Sequence, residues 1–275
     1  VMWGDSWSTQ HELSVSGGSE NNTFRFSLGY MYDDSNLKWG KNHNQRINLR
    51  LNNTMQLAKN FTLQSVISYN RQDQVAPSQI GGALKVSAQQ PGFPTSTISG
   101  KPYAWGRDWV APNWVCELGG DNNLKVSSIN ISETLRYEIL PGFTANAVLG
   151  YNHSEAVRDT KNLPIDFYQY NDTFEVTSPL QKNTSYQKTS NQTDFYSVQG
   201  YLNYTKSFNQ AHNTTFMAGV QYNMKQYDGF GVKVLDIQPT LEVPNGSGEI
   251  TLQSVGRWEE AIMSYYGRAN YDFKS

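Results

Sequence analysis

The sequence predicts an all-β fold, an antiparallel transmembrane β-barrel segment of about nine strands with short periplasmic turns and long extracellular loops. Three observations predict it. Apolar residues recur at every second position in segment after segment. Aromatic residues open and close several of those apolar stretches. Short and long connections alternate along the chain.

The alternation is explicit in Phe24, Phe26, Leu28, Tyr30 and Tyr32, which interleave with Thr23, Arg25, Ser27, Gly29 and Met31. Successive side chains on a strand point to opposite faces, so one face is apolar and the other mostly polar. The pattern returns at Ile47, Leu49 and Leu51, at Phe61, Leu63, Ile67 and Tyr69, and at Ile129, Ile131, Leu135 and Tyr137. It continues through Phe143 to Tyr151, Tyr196 to Tyr204, Phe216 to Tyr222, and Met263 to Phe273. Leu13 and Val15 mark a weaker opening strand.

Four strands carry an aromatic at each end of the apolar face: Phe24 and Tyr32, Phe61 and Tyr69, Phe143 and Tyr151, Tyr265 and Phe273. Each pair is eight positions apart, an even number, so both rings face one way. At roughly 3.3 Å per residue and a tilt of about 40°, such a pair spans about 20 Å of height. These eight residues are therefore expected to form lipid-facing aromatic girdles around a thin apolar band. The connections at Gly17–Asn22, Leu57–Asn60, Pro141–Gly142 and Asn209–Asn213 are short, whereas those at about 33–44, 74–123, 155–192 and 227–257 are long. A soluble sandwich has no reason to keep its long loops at one end.

Composition agrees. A mean hydropathy of -0.61 is too polar for a bundle of membrane helices, and no run of about 18 apolar residues exists. Charged residues are only 17% while aromatics reach 13%, which is unlike a disordered chain. The net charge of -2 gives no reason to expect nucleic acid. Cys116 is the only cysteine, so no disulfide framework is available within the chain.

Enzyme and metal signals are poor. His11, His43, His153 and His212 lack companions at zinc spacing. Asp33–Asp34 and Asp121 stand in loop-like acidic runs without an EF-hand pattern. Gly229-Phe230-Gly231 lacks the third glycine of a dinucleotide fingerprint. Glu259 and Glu260 are adjacent and face opposite ways on a strand. No catalytic residue, cofactor or metal is expected. The Asn-x-Ser/Thr sequons, as at Asn60 and Asn203, are read as a by-product of Asn and Thr richness.

The stretch His11-Glu12-Leu13-Ser14-Val15-Ser16-Gly17-Gly18, followed by Phe24-Arg25-Phe26-Ser27-Leu28-Gly29-Tyr30-Met31, resembles the early barrel of SusC/RagA-type TonB-dependent transporters. Ser264-Tyr265-Tyr266-Gly267-Arg268-Ala269-Asn270-Tyr271 resembles a later strand of that family, and His212 to Gly219 resembles another strand start. The resemblance implies a barrel of about 22 strands, of which this chain supplies roughly the second to tenth. It implies a plug and a TonB-contacting segment before Val1, and further strands after Ser275. It implies residence in the outer membrane of a Gram-negative bacterium, in contact with lipid. It also implies import of an oligosaccharide or peptide beneath a SusD-like lipoprotein lid. An odd strand count with two open edges gives the same expectation of a fragment. The alternatives are a self-contained small barrel acting as a pore or adhesin, and a secreted carbohydrate-binding sandwich.

Two sets of residues stand out as candidate sites. Phe93, Tyr103, Trp105, Trp109 and Trp114 lie in one long loop, four of them within twelve residues. Such rings stack on sugars or peptide side chains, are enriched at partner interfaces, or supply the core that so long a loop requires; the last reading is preferred. Arg25, Arg46, Arg50, Arg136 and Arg268 fall on the polar faces of their strands, where the resemblance implies pairing with acidic plug residues.

Overall fold

The structure is a computed structural model and describes residues 3–87, 94–106, 109–178, 180–209, 211–241 and 243–273. Nine long strands form one antiparallel sheet: β1 (Ser8–Ser19), β2 (Asn22–Asp34), β3 (His43–Ala58), β4 (Phe61–Pro77), β5 (Asp121–Leu140), β6 (Phe143–Asn162), β9 (Ser185–Phe208), β10 (His212–Leu235) and β11 (Ile250–Phe273), paired in that order. β7 (Asp166–Tyr168) and β8 (Phe174–Thr177) make a small separate hairpin. Helices α1 (Ile80–Ser87) and α2 (Pro112–Leu118) lie in the connection between β4 and β5. Among the described residues, no helix is long and apolar enough to cross a membrane.

The ladder register explains why the sheet has two unlike faces, because residues directly opposed across an antiparallel pair share a face. Val15, Phe26, Leu51, Ile67, Ile131, Tyr151, Tyr196, Met224 and Ala261 are successive partners across all nine strands. One position along, Ser14, Ser27, Arg50, Ser68, Asn130, Asn152, Phe195, Lys225 and Glu260 form the corresponding row on the polar face. The period of two read strand by strand is thus in phase from strand to strand. No second sheet lies over the apolar face among the described residues, and Tyr265 there is 77% exposed. A β-sandwich is therefore not the architecture.

Rings of the predicted girdle meet neighbours across the ladders. Phe61 packs edge-on against Tyr137 and Phe143 against Tyr204, each pair with centroids 6.2 Å apart, while Tyr151 and Tyr196 lie 5.1 Å apart. At the end of the sheet marked by Phe61 and Phe143 the short turns continue the hydrogen bonding. The carbonyls of Asn21, Asn60 and Gly142 accept backbone N–H groups of Gln56, Glu138 and Thr205 on the next strand. Gly142 requires its lack of a side chain: its φ is 82°, and a Cβ there would stand 2.3 Å from the Thr205 carbonyl oxygen.

The strands run further than the sequence suggested. β6 continues to Asn162 and β9 starts at Ser185, inside the expected loop at 155–192. β10 continues to Leu235 and β11 starts at Ile250, inside the expected loop at 227–257. Over Arg158, Asp159, Thr160, Lys161 and Asn162 both faces are polar, so period two stops signalling a strand while the ladder persists. The loop at 74–123 is shorter as well, since β4 ends at Pro77 and β5 begins at Asp121.

Candidate functional site

The long connections collect at one end of the sheet, and three of them share a core. Leu37 comes from the β2–β3 connection. Ala83, Ala104, Val110, Ala111, Val115 and Cys116 come from the β4–β5 connection, and Ile165 and Phe167 from the β6–β9 connection. Trp39, Ile80, Trp114 and Val176 pack against this cluster. Burial of so much apolar surface holds segments remote in sequence together. Polar groups add register: the Gln79 side-chain amide donates to the carbonyls of Gly119 and Leu163, each at 2.9 Å. Pro112 at the first turn of α2 suits its missing N–H to a helix start. Burial, with the Glu117 carboxylate beside it, pushes the Cys116 thiol up to about 11.

A turn at Asp172 fastens the rim of this cap. Its carboxylate accepts hydrogen bonds from Thr97 Oγ1 at 2.5 Å and Ser99 Oγ at 2.7 Å. These bonds, with Lys101 nearby, hold the carboxyl below its usual range. Tyr103 meets Tyr170 edge-on at 6.4 Å, and Lys101 Nζ sits 4.8 Å from the centre of the Tyr168 ring.

The structure distributes the predicted loop aromatics among different environments. Tyr103 is buried. Trp114 packs on the cap core while its Nε1–H donates to the Thr95 carbonyl at 2.7 Å. Trp109 is half-buried, and its carbonyl accepts the Trp105 backbone N–H at 2.8 Å. Trp105 is 50% exposed, while Phe93 lies outside the described residues. Tyr103 and Trp114 are thus committed to the cap's own packing.

On the polar face, Arg25, Arg46 and Arg50 line a recess of about 490 Å³ together with Glu12, Asn48 and Asn52. Arg50 Nε donates to Asn52 Oδ1 at 3.1 Å, and Arg46 Nη2 approaches Met31 Sδ at 3.8 Å. Arg136 and Arg268 are exposed on the same face, on β5 and β11. Among the described residues, the ion pairs are Lys41–Asp121, Arg71–Asp73, His153–Asp194 and Lys188–Asp159, so none of these five arginines is in one.

Sequence reasoning missed an aromatic group on this face. Tyr227 and Trp258 are opposed across β10 and β11 and stack at 5.6 Å with planes 18° apart. Lys225 Nζ lies 5.2 Å from the Trp258 ring centre, and Tyr227 Oη donates to Asn191 Oδ1 at 2.9 Å. Position parity was the available signal, because Trp258 shares the even numbering of Tyr266 and Arg268 on β11. The expected loop at 227–257 took in Tyr227 and ended one residue before Trp258, so the two were not read as strand neighbours.

A face-divided antiparallel sheet, with short turns at one end and a packed cap of loops at the other, has the architecture of a membrane barrel wall. The comparisons with known proteins specify the class further. No protein-family profile matches the chain. A curated TonB-dependent receptor of Formosa agariphila is 25% identical over 274 residues, covering 97% of this chain and 25% of that receptor. Two solved structures of the RagAB peptide importer, in its closed-closed and open-open states, superpose with TM-scores of 0.74 and 0.73, each at 16% identity. They cover 99% and 97% of this chain, and 31% and 30% of the solved chains. The chain thus spans about a quarter of the curated relative and under a third of the solved ones. Its fold matches a barrel segment of these larger proteins. The resemblance to the SusC/RagA type, read from the His11 and Ser264 stretches, is borne out by these relatives.

Proposed function

We propose that this chain forms part of the wall of an outer-membrane barrel that imports glycan or peptide oligomers. A SusD-like surface lipoprotein would act as the lid, and TonB would be engaged through a segment outside these residues. The observation that carries this reading is the nine-stranded sheet whose apolar face is continuous across every ladder and open to its surroundings. Such a face is stable only against lipid or protein, and its two edge strands need further partners to be satisfied in hydrocarbon.

In this reading Phe24, Tyr32, Phe61, Tyr69, Phe143, Tyr151, Tyr265 and Phe273 face lipid at the two edges of the apolar band. The polar face lines the lumen, and the loop cap stands at the extracellular mouth. Trp105 and Trp109, at the less buried part of the cap, are the residues of the predicted aromatic set best situated for contact with a lid or an arriving oligomer.

The test is the intact mass of the native protein extracted from outer membranes in detergent. A mass of roughly four times this segment, as expected from the share of the curated relative it covers, with a co-purifying lipoprotein, supports the reading. A heat-modifiable species near 31.1 kDa without a partner refutes it in favour of a small self-contained pore or adhesin.

A further inference from the structure

The polar face concentrates positive charge where the chain as a whole has an excess of negative charge. Arg46 and Arg50 are four residues apart on one face of β3, so their stems are separated by roughly 13 Å. Arg25 opposes Asn52 and Ser27 opposes Arg50, which makes Arg25 the diagonal neighbour of Arg50. The three Cα atoms therefore trace a strip along the β2–β3 ladder, with Arg25 and Arg50 roughly 7–8 Å apart and Arg46 roughly 13 Å beyond Arg50. All three side chains are exposed. Among the described residues, Glu12 is the only carboxylate lining the recess, and it forms no ion pair with them. Three cations thus face one anion, although the net charge of the chain is -2.

The available donors are specific in kind. A guanidinium presents a planar fork that matches a carboxylate with two parallel bonds. Arg50 spends its Nε on Asn52, and that contact steadies the group while leaving its terminal nitrogens available. Arg46 has a thioether neighbour, a weak acceptor that does not compete with an anion. Asn48 and Asn52 supply amides beside the strip. Arg136 and Arg268 stand on other strands, away from this recess, and do not form such a group.

We infer that Arg25, Arg46 and Arg50 form a carboxylate-binding strip on the lumen wall, which favours passage of acidic oligomers. This inference rests on the import reading above and names the charge class of its cargo. The carboxylates can come from Asp- and Glu-rich peptides or from uronate-containing glycans; the recognised chemistry is the same.

The experiment uses the full-length protein carrying these strands, purified in detergent. The probes are hexaglutamate, hexaglutamine, trigalacturonate and maltotriose. Calorimetric titration compares wild type with the Arg46→Gln/Arg50→Gln double variant and the charge-keeping Arg46→Lys/Arg50→Lys pair. The expected result is binding of at least one acidic probe and not of its neutral counterpart. That binding weakens about tenfold or more in the glutamine variant, less in the lysine variant, and falls as salt rises from about 0.05 M to about 0.5 M. Which acidic probe binds identifies the source of the carboxylates. Equal binding of acidic and neutral probes, no binding of either acidic probe, or unchanged acidic binding in a folded glutamine variant overturns the inference. So does a glutamine variant that loses only thermal stability, because the arginines would then be serving the protein's own acidic groups. A variant that fails to fold leaves the salt dependence and the lysine pair to decide. The mass and lipoprotein measurement tests the import reading independently of all these outcomes.

Discussion

Ser65 Oγ donates to Glu133 Oε2 at 2.5 Å across the β4–β5 ladder, on the apolar face of the sheet. Glu133 stands between Ile131 and Leu135 on its own strand and opposes Leu149 on β6. Asn53, opposed to Ser65, extends the polar group to β3, where its amide donates to Asn22 at 2.9 Å. A carboxyl in an otherwise apolar band is costly if that band meets hydrocarbon. Glu133→Leu is therefore expected to stabilise the full-length protein in lipid vesicles by about 1–2 kcal/mol, read as a higher guanidinium midpoint. A lower midpoint would mean that this stretch of the wall rests against protein.

The loop cap should fail locally. Phe167 is fully buried in the core shared by three connections, so Phe167→Ala is expected to cost about 3–5 kcal/mol. The strands contribute little to that core, so the sheet should keep its resistance to denaturant. Cys116 supplies the readout: buried and with a raised pKa, its thiol should resist iodoacetamide at pH 8 in the wild type. In Phe167→Ala it should be alkylated rapidly; protection equal to wild type would show that the cap does not depend on this side chain.

Acid should loosen the rim of the cap in a defined window. The folded pKa of Asp172 is lowered by Thr97 and Ser99, so its contribution is fully present above the unfolded value near 3.9 and is lost as pH falls through the folded value. Hydrogen exchange of residues 95–101 should accelerate below about pH 4. Asp172 also has φ of 66°, a conformation that Asn tolerates, so Asp172→Asn is the suitable control. It should exchange faster at neutral pH and show no further acid step in this segment.

The turn at Pro141-Gly142 should be intolerant of a side chain. Gly142→Ala meets both the positive φ and the Thr205 carbonyl, which accounts for an expected loss of about 1–2 kcal/mol. The measurable consequence is a lower denaturant midpoint with unchanged slope. An unchanged midpoint would mean that the turn relaxes without involving β9.

Much of the sheet was legible because a half-buried strand reports itself locally. Phe61, Leu63, Ile67 and Tyr69 declare both a strand and its face without knowledge of any neighbour. Where both faces are polar, as from Arg158 to Asn162, that signal vanishes although the backbone pairing continues. The cap was illegible for a different reason. Leu37, Val115 and Phe167 have no common period and meet only because six strands, β2 to β6 and β9, bring their connections to one end. Tyr103 and Trp114 pack within the cap, whereas α1, α2 and the β7–β8 hairpin left no recognisable pattern. Trp258 was missed through a misplaced boundary, since its face follows from counting along β11.

The shared core under the mouth has a consequence for how such a protein diversifies. An insertion in one connection that displaces Phe167 also removes support from Leu37 and Val115, so the three loops cannot be exchanged one at a time between relatives. Functional grafting has to move residues 35–42, 78–120 and 163–184 as a single cassette. The connection at 236–249 packs through Ile237 on Tyr186 and Val234 apart from that core, and is tied to the cassette only at its start, where Thr184 bonds to the backbone of Asp236 and Ile237, so a change of length beyond those residues leaves the shared core in place.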